Sequence, residues 1–432
     1  MARKITLSPR RPVNASRRGF VVLLGAVPLA GLLPGCGGSG DGRLRLANAS
    51  IAYPNVDIEI NDDVERTGVA AQSVDGFFNV EIDEDSHTLG IRSGSTTLAE
   101  TSLGIDIDER WSAIFFGAES SFGLIAYQED EDQPDDDEFR LRAFNASATE
   151  TIDVYVTDAD ALLSAVAPAV SGAAQETLTA FDDIASGTWR LRLTTGGNRT
   201  EVRLDTTVTL GGERVGTLVI YPSTSGLLVN AVLLVEERDA ISLVNPKARL
   251  RFVNALASST SITPTLDGTA SGSTLPARTA ASYVEADTGD RTVGALVNGS
   301  SFTTTVTLAG AIDATCAIYG ADSAPKVIVI ADDNRAPTVS GQARIRLVNL
   351  VDGGGSLSLS IDLGSAVLTT APGETSDHLQ FTAIDDAQID VLDGSGLSVA
   401  TLTAVDLLAD AVYTVFAMTD GSTVSAVLRR DR

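Results

Sequence analysis

Arginines spaced two apart recur along this chain: Arg43 and Arg45, Arg140 and Arg142, Arg249 and Arg251, Arg344 and Arg346. A guanidinium presents a planar fork of donors that matches carboxylate and phosphate groups. Four such pairs in line could therefore bind an anionic polymer such as a surface polysaccharide. The structural alternative is stronger. Residues two apart share one face of a strand, so both cations can face solvent across from acids on the next strand, Asp57 and Glu59 in the first instance and Asp153 in the second. Such pairs contribute roughly 0.2–1 kcal/mol each, enough to favour one register.

A second kind of chemistry is suggested by acids. Residues 129–138 hold eight carboxylates, and calcium takes about six to eight oxygen ligands in flexible geometry. Asp130, Asp132, Asp135, Asp136 and Asp137 are the candidate ligands, with Asp332, Asp333 and Asn334 as a second, smaller group. Neither reproduces the spacing of a calcium loop, and a run of like charge is first of all a solvated, self-repelling linker. No cofactor is expected beyond that candidate calcium. For catalysis there is little material: two histidines, His87 and His378, lie far apart in the chain, whereas zinc needs three or four ligands. The sequence has neither a Gly-x-Ser-x-Gly elbow nor a glycine-rich phosphate loop with its lysine. An enzyme is not expected. Cys316, in the apolar run Ala314-Thr-Cys-Ala-Ile-Tyr319, reads as a buried core side chain.

The elements that carry these residues are repeated. Arg43-Leu-Arg-Leu-Ala-Asn48 returns as Arg140-Leu-Arg-Ala-Phe-Asn145, Arg249-Leu-Arg-Phe-Val-Asn254 and Arg344-Ile-Arg-Leu-Val-Asn349, about 95 to 110 residues apart. That is domain-sized spacing, well above a solenoid period. Each copy continues with an alternating strand, such as Val56-Asp-Ile-Glu-Ile-Asn61 or Ile152-Asp-Val-Tyr-Val156, and with a turn into another, such as Thr188-Trp-Arg-Leu-Arg-Leu193. It ends on apolar strands such as Val229–Val235 or Val424–Leu428. Six or seven short strands in about 90 residues predict an all-β chain of four tandem antiparallel, immunoglobulin-like β-sandwiches. The predicted domains are 43–127, 139–237, 247–331 and 343–430, with linkers at 128–138 and 332–342. Pro264 marks an edge strand. Asn48, Asn145, Asn254 and Asn349 read as turn formers that bond nearby backbone. Asp160–Ala167 is the one helical signal, one or two turns capped by Asp160.

Apolar residues make up 44% of the chain and aromatics only 5%, in keeping with many small strands, and the net charge of −26 repels phosphate backbones, so nucleic acid is excluded as a partner. The first 36 residues run against that charge, with six basic side chains and no acid. Ser16-Arg17-Arg18-Gly-Phe20 precedes an apolar run, Val21 to Leu33, which is too short to span a bilayer. Leu33-Pro-Gly-Cys36 closes it. The first pattern resembles a twin-arginine export signal and the second a lipobox. The resemblance implies a signal peptide over 1–35, lipidation of Cys36 and a flexible tether over 36–42.

The repeated Arg-x-Arg-x-x-Asn strand, the Asp-Val-Tyr-Val type strand after it, the Trp-Arg strand and the acidic end of each copy together resemble the bacterial family known as domain of unknown function 4397, over residues 43 to 430. The resemblance implies an exported, often lipid-anchored tandem β-sandwich and brings no catalytic residues with it. The expectation is a non-enzymatic lipoprotein facing the periplasm or cell surface, acting as a structural or adhesion module. Its expected partners are the membrane, through Cys36, and an envelope or extracellular protein or glycan. The rival readings are a hydrolase of envelope polymers and a calcium-rigidified spacer.

Overall fold

The computed structural model describes residues 3–4, 40–82, 86–118, 121–147, 150–223, 225–364 and 369–432. The export motif with Arg17, Arg18 and Phe20, and the lipidation site Cys36, lie outside the described residues. Those described form an all-β chain of eight separate sheets, two from each copy of the repeat.

The same plan recurs in every copy. The Arg-x-Arg segment is the leading strand: Asp41–Asn48, Glu138–Asn145, Lys247–Leu256 and Gln342–Asn349. It lies inside its sheet, beside a late strand of the same copy: Arg110–Phe116, Arg214–Pro222, Asp313–Ala321 and Val412–Thr419. These pairings are parallel in all four copies, which corrects the purely antiparallel expectation. The chain leaves the leading strand for the second sheet and returns to the first, and that crossover permits parallel neighbours. A closing strand then pairs with the late strand, antiparallel in copies 2 to 4: Gly123–Gln128, Val229–Val235, Ala324–Asp332 and Val424–Arg430.

The alternating segments occupy the second sheet, as expected from one wet and one apolar face. In copy 3, Ile262–Leu266, Gly289–Val297 and Ser300–Leu308 are neighbours there. Asn298 and Gly299, both at positive φ, close the hairpin between the last two; this is the backbone a two-residue turn demands. Pro264 lies in a strand flanked on one side only by the two-residue strand Thr269–Ala270, close to the predicted edge. Both sheets of a copy line one core. In copy 3, Leu250, Phe252, Cys316 and Ile318 of the first sheet meet Ile262, Val293, Ala295 and Val297 of the second. Cys316 is fully buried, as expected, and burial pushes its thiol up to about 12.

Three boundaries differ from the sequence reading. Glu138 already belongs to the leading strand of copy 2, and Ile241–Leu243 adds a strand to that copy's sheet beyond residue 237. The expected helix is a single 3-10 turn, Leu163–Ala165, without a side-chain cap, so Asp160 does not start it. The chain forms two compact units, one of residues 1–48, 55–115 and 122–130, the other of residues 49–54, 116–121 and 131–432.

The recurring asparagines are fully buried. Asn254 Nδ2 donates to the carbonyls of Thr260 and Leu275, 3.0 Å each, while its Oδ1 accepts from Leu256 N. Asn349 repeats this with Gly355, Thr370 and Val351, and Asn145 with Glu150, Ala173 and Ser147. The side chain thus bonds nearby backbone, as expected, and also ties the end of the leading strand to a more distant segment of its copy. Asn254→Ala is expected to cost about 2 kcal/mol or more, because two carbonyls and an N–H lose their buried partner; denaturant unfolding of the full chain measures it.

Candidate functional site

The arginine pairs do not lie across from the next strand in sequence, and of their members Arg43 is exposed while Arg45, Arg251 and Arg346 are buried. That strand lies in the other sheet, so Asp57, Glu59 and Asp153 are out of reach. Glu59 pairs with Arg92, and Asp57 and Asp153 accept from the backbone N–H groups of Gly68 and Gly172. The second arginine of each pair points away from its own core, directly opposite a hydroxyl on the parallel strand: Arg45 to Ser112, Arg142 to Thr217, Arg251 to Thr315 and Arg346 to Thr414. In every copy the guanidinium Nε donates to that hydroxyl, at 2.7 to 3.1 Å. Arg45, Arg251 and Arg346 are about 2% exposed or less, which makes them internal cations that require counter-charges.

Copy 1 supplies its own, since Arg45 NH2 lies 2.5 Å from Glu129, which also accepts from Ser112. Copies 3 and 4 exchange theirs. Arg251 of copy 3 pairs with Asp431 of copy 4, and Arg346 of copy 4 pairs with Asp332 of copy 3. Each acid is also held by its own copy's threonine: Thr315 donates to Asp332 at 2.6 Å and Thr414 to Asp431 at 2.5 Å. Tyr283 donates to Asp332 at 2.7 Å and lies under both Arg249 and Arg251, whose guanidinium carbons are 4.6 and 4.5 Å from its ring centroid. Burial pushes the Asp332 carboxyl upward, but Arg346, Arg251 and the two hydroxyls outweigh it, and the group sits below the ordinary carboxylate range. An apolar layer continues this interface, with Val253, Ala255 and Ala317 of copy 3 against Val348, Phe416 and Met418 of copy 4.

Copy 2 joins the network through one loop. Ser225 Oγ accepts from Asp313 N at 2.9 Å, and Ser225 O accepts from Asn334 N at 2.6 Å. Gly226 passes so close that a Cβ there would overlap the Asp313 carboxylate. Asp313 is paired with Arg249 and accepts from Asn334 Nδ2 at 2.8 Å.

The candidate calcium ligands are therefore not gathered. Asp332 and Asp333 are occupied by arginines, the latter by Arg335 at 2.7 Å and Arg344 at 2.8 Å, and Asn334 braces Asp313 and Tyr283. Asp130, Asp132, Asp135, Asp136 and Asp137 are exposed. Among the described residues no group of three His, Cys, Asp or Glu is placed to hold a metal ion. The first arginine of copy 2, Arg140, does form a cross-strand pair, with Asp183 on the neighbouring strand of its own sheet. Sequence reasoning missed the hydroxyls at 112, 217, 315 and 414. Their signal is a Ser or Thr at the same place in each otherwise apolar late strand.

Beside the junction, within the second unit, lies a cleft of about 950 Å³ lined by Arg335, Arg344, Arg430, Arg432 and His378, with Ser147 and Ser223 of copy 2 opposite. His378 Nε2 is buried without a hydrogen-bond partner among the described residues. Its other neighbour in composition, His87, is buried in copy 1 and meets Asn61 at 3.1 Å, so the two histidines share no site.

The family model of a domain of unknown function, DUF4397, matches residues 42–155 and again residues 248–360. The chain belongs to this family. No curated protein matches it. Each DUF4397 match begins at a leading strand and runs through the leading strand of the next copy. The second match thereby holds Arg251, Asp332 and Arg346 together, so one of the two exchanged pairs lies inside a single family unit.

Arg251→Met is expected to cost about 3–5 kcal/mol, because Asp431 stays buried without its cation, while Arg251→Met with Asp431→Leu recovers most of the loss. Unfolding of the two variants tests this; a double variant no better than the single would assign the loss to packing. Burial, with Arg344 and Arg346 nearby, holds His378 down at about 3 against the opposing pull of Asp333 and Asp332. Since the unfolded imidazole titrates near 6.5, its contribution to stability is fully present above that pH and is lost as pH falls towards 3. Of the two imidazole signals in a proton NMR titration, the one absent from His378→Gln is expected not to move between pH 8 and 5.

Proposed function

We propose that this DUF4397 protein is a non-enzymatic lipoprotein of the cell envelope, built as four tandem immunoglobulin-like β-sandwiches that act as a structural or adhesion module. The observation that carries the reading is the exchange of buried Arg–Asp pairs between copies 3 and 4. A fixed relation between neighbouring domains is what a module that presents surfaces to a partner needs, and buried, reciprocally paired charges specify one relation because any other leaves a charge unpaired. Recognition then falls to loops and domain faces held in place by the sheets.

Attachment is assigned to Cys36, behind a twin-arginine signal centred on Arg17 and Arg18, with residues 36–42 as tether. The motif order supports this: basic segment, short apolar run, Leu-Pro-Gly-Cys. Each buried methylene of an acyl chain contributes about 0.8 kcal/mol, and two or more chains make attachment effectively permanent. Cys36→Ala is expected to move the protein from the membrane to the soluble fraction, and Arg17→Lys with Arg18→Lys to retain it in the cytoplasm. Unchanged membrane partitioning of Cys36→Ala would overturn the anchor.

A further inference from the structure

We propose that the open edge of copy 4's closing strand, Val424–Arg430, pairs antiparallel with the same strand of a second chain, so that two chains share one continuous sheet. Neither the anchor nor the adhesion reading is needed for this contact.

The repeat itself shows what such an edge takes. Copy 2 closes on Val229-Asn-Ala-Val-Leu233 and copy 4 on Val424-Ser-Ala-Val-Leu428, the same pattern at the same place, each antiparallel to its late strand. In copy 2 an added strand covers the far edge: Ala231, Val232 and Leu233 lie opposite Leu243, Ser242 and Ile241, antiparallel. In copy 4 the matching residues are Ala426, Val427 and Leu428. Among the described residues no strand lies beyond Val424–Arg430, and no loop backbone bonds to it there. An edge left in this state is a row of unpaired N–H and C=O groups, a template for another strand. Val424, Ala426 and Leu428 are only partly buried against the core of copy 4, and Val427 only partly in the layer between copies 3 and 4. An added strand would continue both layers and cover apolar surface.

Sequence and charge favour the same strand of a second chain as the occupant. Val424 to Leu428 holds no proline and no charge, and its pairing runs without a bulge, so the usual devices that keep edges apart are missing. The other open closing strand in this unit, Ala324–Asp332 of copy 3, has two of them, Pro325 and Lys326, the latter with a side chain 53% exposed. The cations of copy 4's strand, Arg429 and Arg430, stand at one end, and the exposed Asp420 stands in the turn at the other. Two such strands laid parallel would set arginine against arginine. Antiparallel about Val427, they place Arg430 of each opposite Val424 of the other, towards the end that carries Asp420, and Ala426 opposite Leu428, so no like charges meet. On both sides the three central residues then take the pairing positions used in copy 2. Such a contact is isologous and closes at two chains.

Sedimentation of the full chain carrying Cys36→Ala, so that no acyl chain drives association, is expected to show a dimer that dissociates on dilution. Backbone amides at alternate positions of Val424–Arg430 are expected to exchange with solvent at least tenfold more slowly in concentrated than in dilute protein, while those of Val229–Val235, already paired on both sides, do not change. Along a strand the N–H groups point to one neighbour and then the other. Of Ala426→Pro and Val427→Pro, one therefore removes only an outward group, which an edge tolerates. The variant that keeps the thermal midpoint is expected to dimerise at least tenfold more weakly; if both lower it, the exchange comparison decides. A chain that stays monomeric leaves this edge to a strand of another protein and overturns the proposal. So does a dimer whose Val424–Arg430 amides exchange as fast as the monomer's, or one undiminished in the tolerated proline variant.

Discussion

An internal guanidinium cannot be left without a counter-charge, and in this protein that requirement organises everything around the third and fourth copies of the repeat. The leading strand is inside its sheet, so its inner face belongs to the core of its own copy. Its outer face then carries Arg251 or Arg346 beside Val253 or Val348. A surface of that composition is too apolar to leave wet and too charged to bury alone. Two copies laid face to face solve both problems: the apolar residues form one layer, and each arginine finds the acid at the end of the other copy's closing strand.

The reciprocity is that of an isologous contact, in which the same patch serves on both sides, here within one chain. Its energetic meaning is specificity more than strength. A buried ion pair is often no more stabilising than a well-packed apolar pair, yet losing one partner is costly. The arrangement therefore penalises slippage of one copy against the other. Arg249, Arg251 and Arg346 face Asp313, Asp332 and Asp431, a balanced set, and the hydroxyls of Tyr283, Thr315 and Thr414 take up further donor and acceptor positions. Copy 2 enters this set through a serine and a glycine, small enough for backbone to reach Asp313.

The same logic separates two kinds of arginine in an acidic chain. On the leading strands Arg45, Arg249, Arg251 and Arg346 are spent on buried carboxylates, so the four pairs do not present one repeated polymer-binding array. Arg344 is the member of the repeated pairs that also lines the cleft, where it shares Asp333 with Arg335. That cleft lies where the joint before copy 4 passes His378, just ahead of the strand Leu379–Thr382.

The sequence by itself determined the local and periodic features. Alternation of apolar and polar residues set the strands, the fourfold Arg-x-Arg-x-x-Asn set the number of copies and the register of their leading strands, and the burial of Cys316 followed from its apolar run. These depend on neighbours within a few residues. The pairing of the leading strand with a late parallel strand, about 65 to 75 residues away, was not legible, because strand order within a sheet leaves no periodic trace. Neither was the role of Asp431, 180 residues from Arg251, or of Asp332, which looks like the start of an acidic linker until the fourth copy covers it. Charge in a sequence has no inside or outside. Only tertiary packing decided which carboxylates met water and which met arginine, because the cost of burying a charge is settled by the whole surface that closes over it.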